Sequence, residues 1–418
     1  MDSDIFNSKS GSICVACKGT KLLCGKERCP ILIKLYSQQK IKQVLNSNEI
    51  LGSSPPGVFV GSYGYPKVFI GPLIPPKIGD TSILDTPEEW VGKKIDEIVD
   101  FRFSLIRGKI LVNVKNLENA PKIINEIRES VLSESSLDIE AKFKNKPSGN
   151  IILNDDIQPF GPSAYIKEIK YYSESKTNKK LEKTYYDSDL NAKDAILYLY
   201  ENNVLISKIQ KALSVGLLGI EKKRKLVPTR WAITAVDSLI SKNLIENTKR
   251  FPIINEFRIY NFENLDNNWI IIFLPTNWCY ELIEAWWPGT VWNPNGKNIW
   301  IVSSHEFYEG KKEYAEIGGC YYAARLAVNE LLNKEKRQAG VVILRESRPG
   351  YIMPVGVWNV RESVRAALKT KPINFNSIKE VFDFINKKMN IKLNKWIEKS
   401  AILKYFTRQK KLKEFIKN

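Results

Sequence analysis

Four of the six cysteines fall within sixteen residues, as Cys14-Val15-Ala16-Cys17, then Cys24, then Cys29 before Pro30. A segment this short has no room for a hydrophobic core, so it needs another means of holding its fold. The spacing supplies one. A C-x-x-C loop lets two thiolates grip an ion from a tight turn, and a second pair of cysteines completes a tetrahedron. Gly19 and Gly25 ease the backbone between ligands, and Lys18, Lys21, Lys26 and Arg28 offset the negative charge of a zinc tetrathiolate. Two disulfides would require an oxidising compartment, and a redox C-x-x-C its strand-helix setting. An iron–sulfur cluster is the other metal reading. The expectation is a structural zinc on Cys14, Cys17, Cys24 and Cys29, closed to substrate, in a module over residues 1–45. Cys279 and Cys320 sit among apolar neighbours and read as small buried hydrophobes.

At 418 residues the chain exceeds one core. After the cysteine module the pattern divides into a domain over 46–265, a second over 266–400, and a tail over 401–418. Strands and helices mix without strict alternation, so the expected class is α+β, with mixed sheets, packed helices and the small zinc module. A helix is expected over Ile31–Gln43. The Gly/Pro-rich run from Ser53 to Pro72 reads as a compact hairpin with proline corners or, alternatively, as a ligand-cradling loop. Phe101–Val114 alternates as strand, turn and strand. Pro121–Leu132 and Asp194–Leu213 carry helical spacing, and Tyr171–Tyr186 reads as an exposed loop. Thr229 is placed to cap a helix from Arg230. Strand-like runs follow at Ile253–Phe262, Trp269–Leu274, Ile299–Ser303, Val341–Arg345 and Tyr351–Trp358, around a helix at Tyr321–Lys336. Three helical patterns close the chain, the first opened by the capping box Ser377-x-x-Glu380.

No stretch approaches the ~18–20 uninterrupted apolar residues of a membrane span, and no presequence is visible, so a cytoplasmic protein without membrane contact is expected. The net charge of +18 favours polyanions. Only fifteen of the 64 basic residues are arginine, while Lys, Ile, Asn and Tyr are abundant, a bias that A+T-rich codons would also produce.

Six of the ten tryptophans crowd into Trp269–Trp300. Such rings form either a stacking surface for unpaired bases or an aromatic core. Trp286-Trp287, followed by Pro288-Gly289, is the expected rim of a stacking site. The single histidine lies in Ser304-His305-Glu306, and a His beside carboxylates serves as a general base or, more commonly, as a hydrogen-bonded structural residue. With one histidine, a serine-protease-like triad or an H-E-x-x-H or H-x-E site could stand only around His305, and none of those signatures is present there. His305, Glu306 and Arg348 are the catalytic candidates if the chain is an enzyme, and the sequence names no reaction. Arg230-Trp231, after Lys222–Lys225, and Arg348 in Arg348-Pro349-Gly350-Tyr351 are candidates for nucleic-acid contact, together with Trp286 and Trp287.

The carboxy terminus carries Gln409-x-x-Leu412-x-x-Phe415-Ile416. One helical turn would gather Leu412, Phe415 and Ile416 into a plug for an apolar pocket and leave Gln409 at its rim, the form of a sliding-clamp-binding peptide. An amphipathic last turn packed on the protein body is the alternative. Taken in order, the cysteine cluster, the Ser54-Pro55-Pro56 to Pro76 segment, Val227-Pro228-Thr229-Arg230-Trp231, Arg348-Pro349-Gly350-Tyr351 and the terminal Gln409–Ile416 resemble the archaeal Nre family of DNA-repair proteins. The resemblance implies two α+β domains of Nre type, a role in the DNA-damage response, and a tail for the PCNA ring. Ile416 stands where many clamp-binding peptides carry a second aromatic, which lowers the expected affinity without changing the mode. The repair-factor reading stands beside two others: an enzyme acting on a nucleotide or damaged nucleic acid in the Trp-rich segment, and a non-catalytic clamp adaptor.

Overall fold

A computed structural model describes residues 17–41, 44–115, 117, 120–148, 160–172 and 176–408. So far as they are described, these fall into two compact units, one holding Cys29–Ile240 and the other Ser12–Arg28 with Ser241–Asn418.

The first unit runs α1 (Pro30–Lys40), β1 (Glu49–Ser54), β2 (Val58–Val60), β3 (Lys67–Ile74), α2 (Ile95–Ser104), β4 (Ile106–Asn113), α3 (Lys122–Glu129), β5 (Leu137–Phe143), β6 (Ser163–Tyr171), α4 (Lys179–Tyr186), α5 (Ala192–Glu201), α6 (Ile206–Ser214) and the start of α7 (Thr229–Thr248). Its sheet has the order β1-β5-β6-β4-β3-β2, antiparallel except for the β4–β6 pair. The strands alternate. Val68, Ile70, Ile106, Val112, Ile139 and Ala141 are buried, while Phe69, Lys109, Leu111, Glu140 and Lys142 are not, so one face builds the core and the other is open at these positions, although Leu73, on the Phe69 side of β3, is buried too. The Gly/Pro run forms the β2–β3 hairpin, in line with the first of its two readings. Gly71 is required there, because a Cβ would stand 1.7 Å from the Gly108 carbonyl oxygen across the ladder.

The second unit contains β7 (Phe257–Asn264), β8 (Asn267–Leu274), β9 (Cys279–Trp286), β10 (Trp300–Glu306), α8 (Gly319–Glu335), β11 (Gly340–Ser347), α9 (Trp358–Leu368), β12 (Ile373–Phe375), α10 (Ile378–Lys388), α11 (Leu393–Lys399) and α12 (Ala401–Arg408). The sheet order is β10-β9-β11-β8-β7-β12, with β9 and β11 parallel and the other pairs antiparallel. Every residue of β8, β9 and β11 is buried. On one face Trp269, Ile271, Leu282 and Ile343 pack with Tyr321 and Val328 of α8 and Val360 and Val364 of α9. On the other, Ile270, Ile272, Ile283 and Leu344 pack with Val381 and Ile385 of α10, Trp396 of α11 and Ile402 and Leu403 of α12. Helices therefore cover both sides of the central strands.

The α+β class with two mixed sheets is what the patterning implied, and the Ser377–Glu380 capping box opens α10 as expected. Local assignments differ in five places. Phe101, Phe103 and Leu105 are not a strand: residues 95–104 are helical, and the Glu97 carboxylate accepts the Lys94 amide at 2.9 Å to start the helix. Lys179–Tyr186 is a helix capped by Asn178, whose side chain accepts from Lys180 and Leu181. The long helix expected at Asp194–Leu213 breaks into α5 and α6 around Asn203, which has φ 59°. Thr229 does not cap α7; its hydroxyl accepts the Val60 amide at 2.9 Å. Tyr351–Trp358 is not a strand.

Candidate nucleic-acid interface

The β2–β3 hairpin ends in Ser62-Tyr63-Gly64-Tyr65-Pro66-Lys67, where Gly64 takes φ 81° and the Tyr65–Pro66 bond is cis. A turn this tight leaves its aromatic side chains no interior to enter. Tyr63 is 92 % exposed and Tyr65 44 %. Tyr65 rests against Trp231, at a centroid distance of 5.2 Å and an interplanar angle of 48°, and Trp231 is itself 49 % exposed. The Val60–Thr229 hydrogen bond ties the hairpin to the first turn of α7 and so fixes this stack. Arg230 is exposed beside it and makes no ion pair with another described residue. Backbone bonds from Leu226 N to Val114 O (3.1 Å) and from Val114 N to Pro66 O (3.0 Å) lace the Lys222–Lys225 segment to the same end. Lys67, Lys222, Lys223 and Lys225 are all exposed. Rings offer faces to bases and the cations offer partners to phosphates. Arg230 and Trp231 were legible in the sequence. Tyr63 and Tyr65 were not singled out, although aromatics in a Gly/Pro turn are a signal that could have found them.

The tryptophan-rich segment is built differently. Parallel β9 and β11 end side by side, with Trp286 opposite Ser347. Between them Arg345 is fully buried, paired with Glu284 at 2.7 Å and bonded to Asn267 at 2.9 Å. It lies 5.0, 4.8 and 5.3 Å from the rings of Trp269, Trp286 and Tyr351. Burial opposes its charge, but Glu284 and Tyr351 hold its pKa above the ordinary guanidinium value. Trp286 is thus a wall of an arginine cage and not a rim. Trp287 is half-buried and donates its indole N–H to Glu346 at 2.9 Å; the other Glu346 oxygen accepts the Asn390 amide at 3.0 Å, and burial pushes that carboxyl up. The exposed rings of the segment are Trp292, edge-on to Trp286, and Trp300. Arg348 faces Glu263 and Asp266, both at 3.2 Å, so a phosphate there would have to displace two carboxylates.

His305 and Glu306 lie at the opposite end of β9, where Glu306 pairs with Tyr280. The Glu306 carboxylate is buried and takes Arg325 Nη1 at 2.7 Å, Tyr321 Oη at 3.0 Å and Trp278 Nε1 at 3.2 Å. Three buried side chains thus already donate to it. His305 is half-buried and stands edge-on to Phe307.

Of the cysteine cluster, Cys14 lies outside the described residues, and among those described no three of His, Cys, Asp and Glu form a group able to hold a metal. The loop nevertheless has the turns that a thiolate knuckle requires. Lys18, Gly19, Leu22 and Gly25 all have positive φ, at 51°, 77°, 48° and 73°. The backbone N–H of Leu23, assisted by those of Gly19, Lys21 and Leu22, lowers the pKa of the Cys17 thiol against the opposing effect of burial. The loop also packs within its unit: a Cβ on Gly289 would lie 3.2 Å from Gly25 O, and buried Lys26 donates to Ile352 O at 3.0 Å. Gln409, Leu412, Phe415 and Ile416 lie outside the described residues. The helix that precedes them is held by Glu281 of β9, whose carboxylate accepts the amides of Ala401 (2.8 Å) and Ile402 (3.1 Å) and the hydroxyls of Ser400 and Ser303.

Comparison with known proteins adds an independent line. Residues 23–293 match the family model described as archaeal Nre, N-terminal, and residues 306–415 match archaeal Nre, C-terminal. DNA repair protein NreB of Archaeoglobus fulgidus is 41 % identical over 96 % of this chain and 100 % of its own length. DNA repair protein NreA of the same organism is 37 % identical over 91 % of this chain and 94 % of its own. DNA repair protein NreA of Haloferax volcanii is 33 % identical over 79 % and 81 % respectively. No solved structure matches the chain.

Proposed function

The chain belongs to the archaeal Nre family, and from that premise we propose that it is a cytoplasmic DNA repair factor that binds DNA and is recruited to the PCNA clamp by its tail. Relatives that are named DNA repair proteins and match nearly end to end support the repair role. The observation that carries the DNA contact is the open cluster of Tyr63, Tyr65, Trp231 and Arg230, where rings share one surface with a cation that has no ion pair among the described residues. Gln409, Leu412, Phe415 and Ile416, which follow α12 in the sequence, are the clamp-binding residues. Cys14, Cys17, Cys24 and Cys29 hold a structural zinc, a reading that rests on their spacing and on the positive-φ turns of the loop. Such an ion would supply no chemistry beyond folding its loop. The enzyme reading has less support, because Trp269, Trp278 and Trp286 are buried and Glu306 and Arg348 are already partnered.

Two titrations test the proposal. Isothermal titration of the full-length chain against archaeal PCNA is expected to show binding that falls about thirtyfold or more in Phe415→Ala, the typical loss for a buried aromatic anchor. Equal heats from both proteins would remove the tail reading. Fluorescence anisotropy with labelled duplex DNA is expected to show weaker binding by Arg230→Ala at unchanged thermal stability; an unchanged affinity would remove that cluster from the interface.

A further inference from the structure

The open face of the first unit's sheet divides into two halves of opposite character. On β1, β5 and the end of β6 the charges neutralise one another: Glu49 and Glu140 pair with Lys142 at 3.0 and 3.6 Å, and Glu168 pairs with Lys170 at 3.4 Å. In the half made by β2, β3, β4 and the start of β6, no strand cation of the described residues is paired with a carboxylate; Asp85, beside Gly57 and Leu73, pairs instead with Arg102 and Lys211. Arg107 and Lys109, two apart on β4, point to the same side. Among the described residues neither forms an ion pair. Their partners are rings. The Arg107 guanidinium lies 4.6 Å from the Phe160 ring and 5.5 Å from Phe59, and Lys109 Nζ lies 5.0 Å from Tyr165 and 5.7 Å from Phe69. Tyr165 sits directly across from Lys109 in the β4–β6 ladder and packs edge-on to Phe69 at 5.6 Å.

Phe59, Phe69, Lys109 and Tyr165 therefore occupy four neighbouring strands, a platform about 14 Å wide at the usual strand spacing. Leu111, opposite Phe69, extends it, and Tyr165 and Leu111 are open to solvent. Two like charges on adjacent same-face positions repel, and burial lowers the pKa of both, with Arg107 lowering that of Lys109 further. An anion laid between them would relieve both penalties. The missing partner thus has to be negatively charged and to present flat apolar faces. A duplex satisfies the first condition and hides its base faces; an unpaired strand satisfies both.

We infer that the β2-β3-β4-β6 face, with Phe59, Phe69 and Tyr165 as stacking rings and Arg107 and Lys109 as phosphate partners, binds single-stranded DNA. This deepens the DNA-binding reading above and rests on it, adding a path for an unpaired strand to the hairpin cluster. Sheets of this size with two or three outward aromatics hold two or three bases. The hairpin links the two regions, because Lys67 and Phe69 follow Tyr65 along β3.

The test is fluorescence anisotropy with the full-length chain and three labelled probes: an oligothymidylate of about 15 nucleotides, a mixed-sequence duplex of equal length, and the matching oligouridylate. Tyr165→Ala should weaken single-strand binding roughly five- to hundredfold, the range for one lost stacking contact, and leave the duplex affinity within about twofold. Tyr165→Leu keeps the apolar bulk without the aromatic face and should behave the same, which separates lost stacking from a folding defect. Lys109→Ala should lower the salt slope of single-strand binding by about 0.7. Single-strand affinity that is unchanged in all three variants but falls in Arg230→Ala would overturn the platform and leave the hairpin interface standing. No binding of any DNA by the unaltered chain would overturn the DNA reading and this inference with it. Tighter binding of the oligouridylate than of the oligothymidylate would overturn the assignment to DNA.

Discussion

Replacing Glu281 by leucine should loosen α12 from the strand that holds it. Glu281 is fully buried in β9 and accepts four hydrogen bonds, two from the first amides of α12 and two from Ser303 and Ser400. Leucine accepts none. The hydroxyls can rotate toward other acceptors, but the amides of Ala401 and Ile402 cannot, and each buried orphan donor costs about 1–3 kcal/mol. Loss of a carboxylate from a helix amino terminus adds about 0.3–1 kcal/mol. Against this stands the removal of a buried charge, which recovers part of the loss. A net destabilisation of about 2–4 kcal/mol follows, or on the order of 5–15 °C in Tm for a unit of this size. Ile402 and Leu403 remain buried and keep the helix partly docked, so the effect should concentrate at its first turn. Hydrogen exchange read by mass spectrometry should show the amides of Ala401 and Ile402 losing protection by roughly 30- to 700-fold. Glu281→Gln, which retains one acceptor oxygen, should fall in between. The PCNA affinity proposed for the tail should change little, since a clamp-binding peptide orders on its partner. A Glu281→Leu protein that melts within about 1 kcal/mol of the parent, with unchanged exchange at Ala401 and Ile402, would refute the cap.

Three further outcomes are expected. Glu306→Ala should cost about 3–5 kcal/mol in a urea melt, because it strands the buried Arg325, whereas His305→Ala, half-buried with an edge contact to Phe307, should cost under ~1 kcal/mol. Elemental analysis of the purified chain should give about one zinc per molecule, lost in Cys17→Ser and kept in Cys279→Ser, whose buried thiol has its pKa raised to about 12 and is inert; equal metal in both would remove the assignment. Burial, with Lys211 nearby, lowers Lys208 to about 8, so from pH 8 upward the folded chain loses a proton that the unfolded chain keeps to about 10.4. Stability from this group should therefore rise with pH across that window, by less than about 1.4 kcal/mol per unit. Lys208→Met should flatten the rise in melts between pH 7.5 and about 10.

Much of the fold was legible where one physical signal acted alone. Trp269–Leu274 and Val341–Arg345 are apolar runs of strand length, and both are central strands. Between them lies Cys279–Trp286, equally central and not read as a strand, because Glu281 and Glu284 interrupt the run. Those charges are tolerable only because α12 and Arg345 supply partners from 120 and 61 residues away. Phe101-x-Phe103-x-Leu105 shows the converse failure. Its alternation fits a strand, but the Glu97–Lys94 bond upstream commits the chain to a helix. The site divides in the same way. Arg230 and Trp231 stand out as a basic and aromatic pair, while the Arg107–Lys109 platform has no local signature, since its stacking rings come from three separate strands.

The sequence by itself determined the class of fold, the position of the cysteine cluster and of the Gln409–Ile416 pattern, and the family, because each of these is written in spacing along the chain. Tertiary structure decided which charges and rings are free. Trp286, Arg348 and Glu306 look available in the sequence and are consumed by partners, while Tyr63 and Tyr65 look ordinary and are left exposed, and the partly buried Arg107 and Lys109 are left facing rings with no ion pair among the described residues. The physical reason is that a polar or aromatic group acts on a ligand only with the capacity its own fold has not already used. That remainder depends on contacts between residues far apart in the chain.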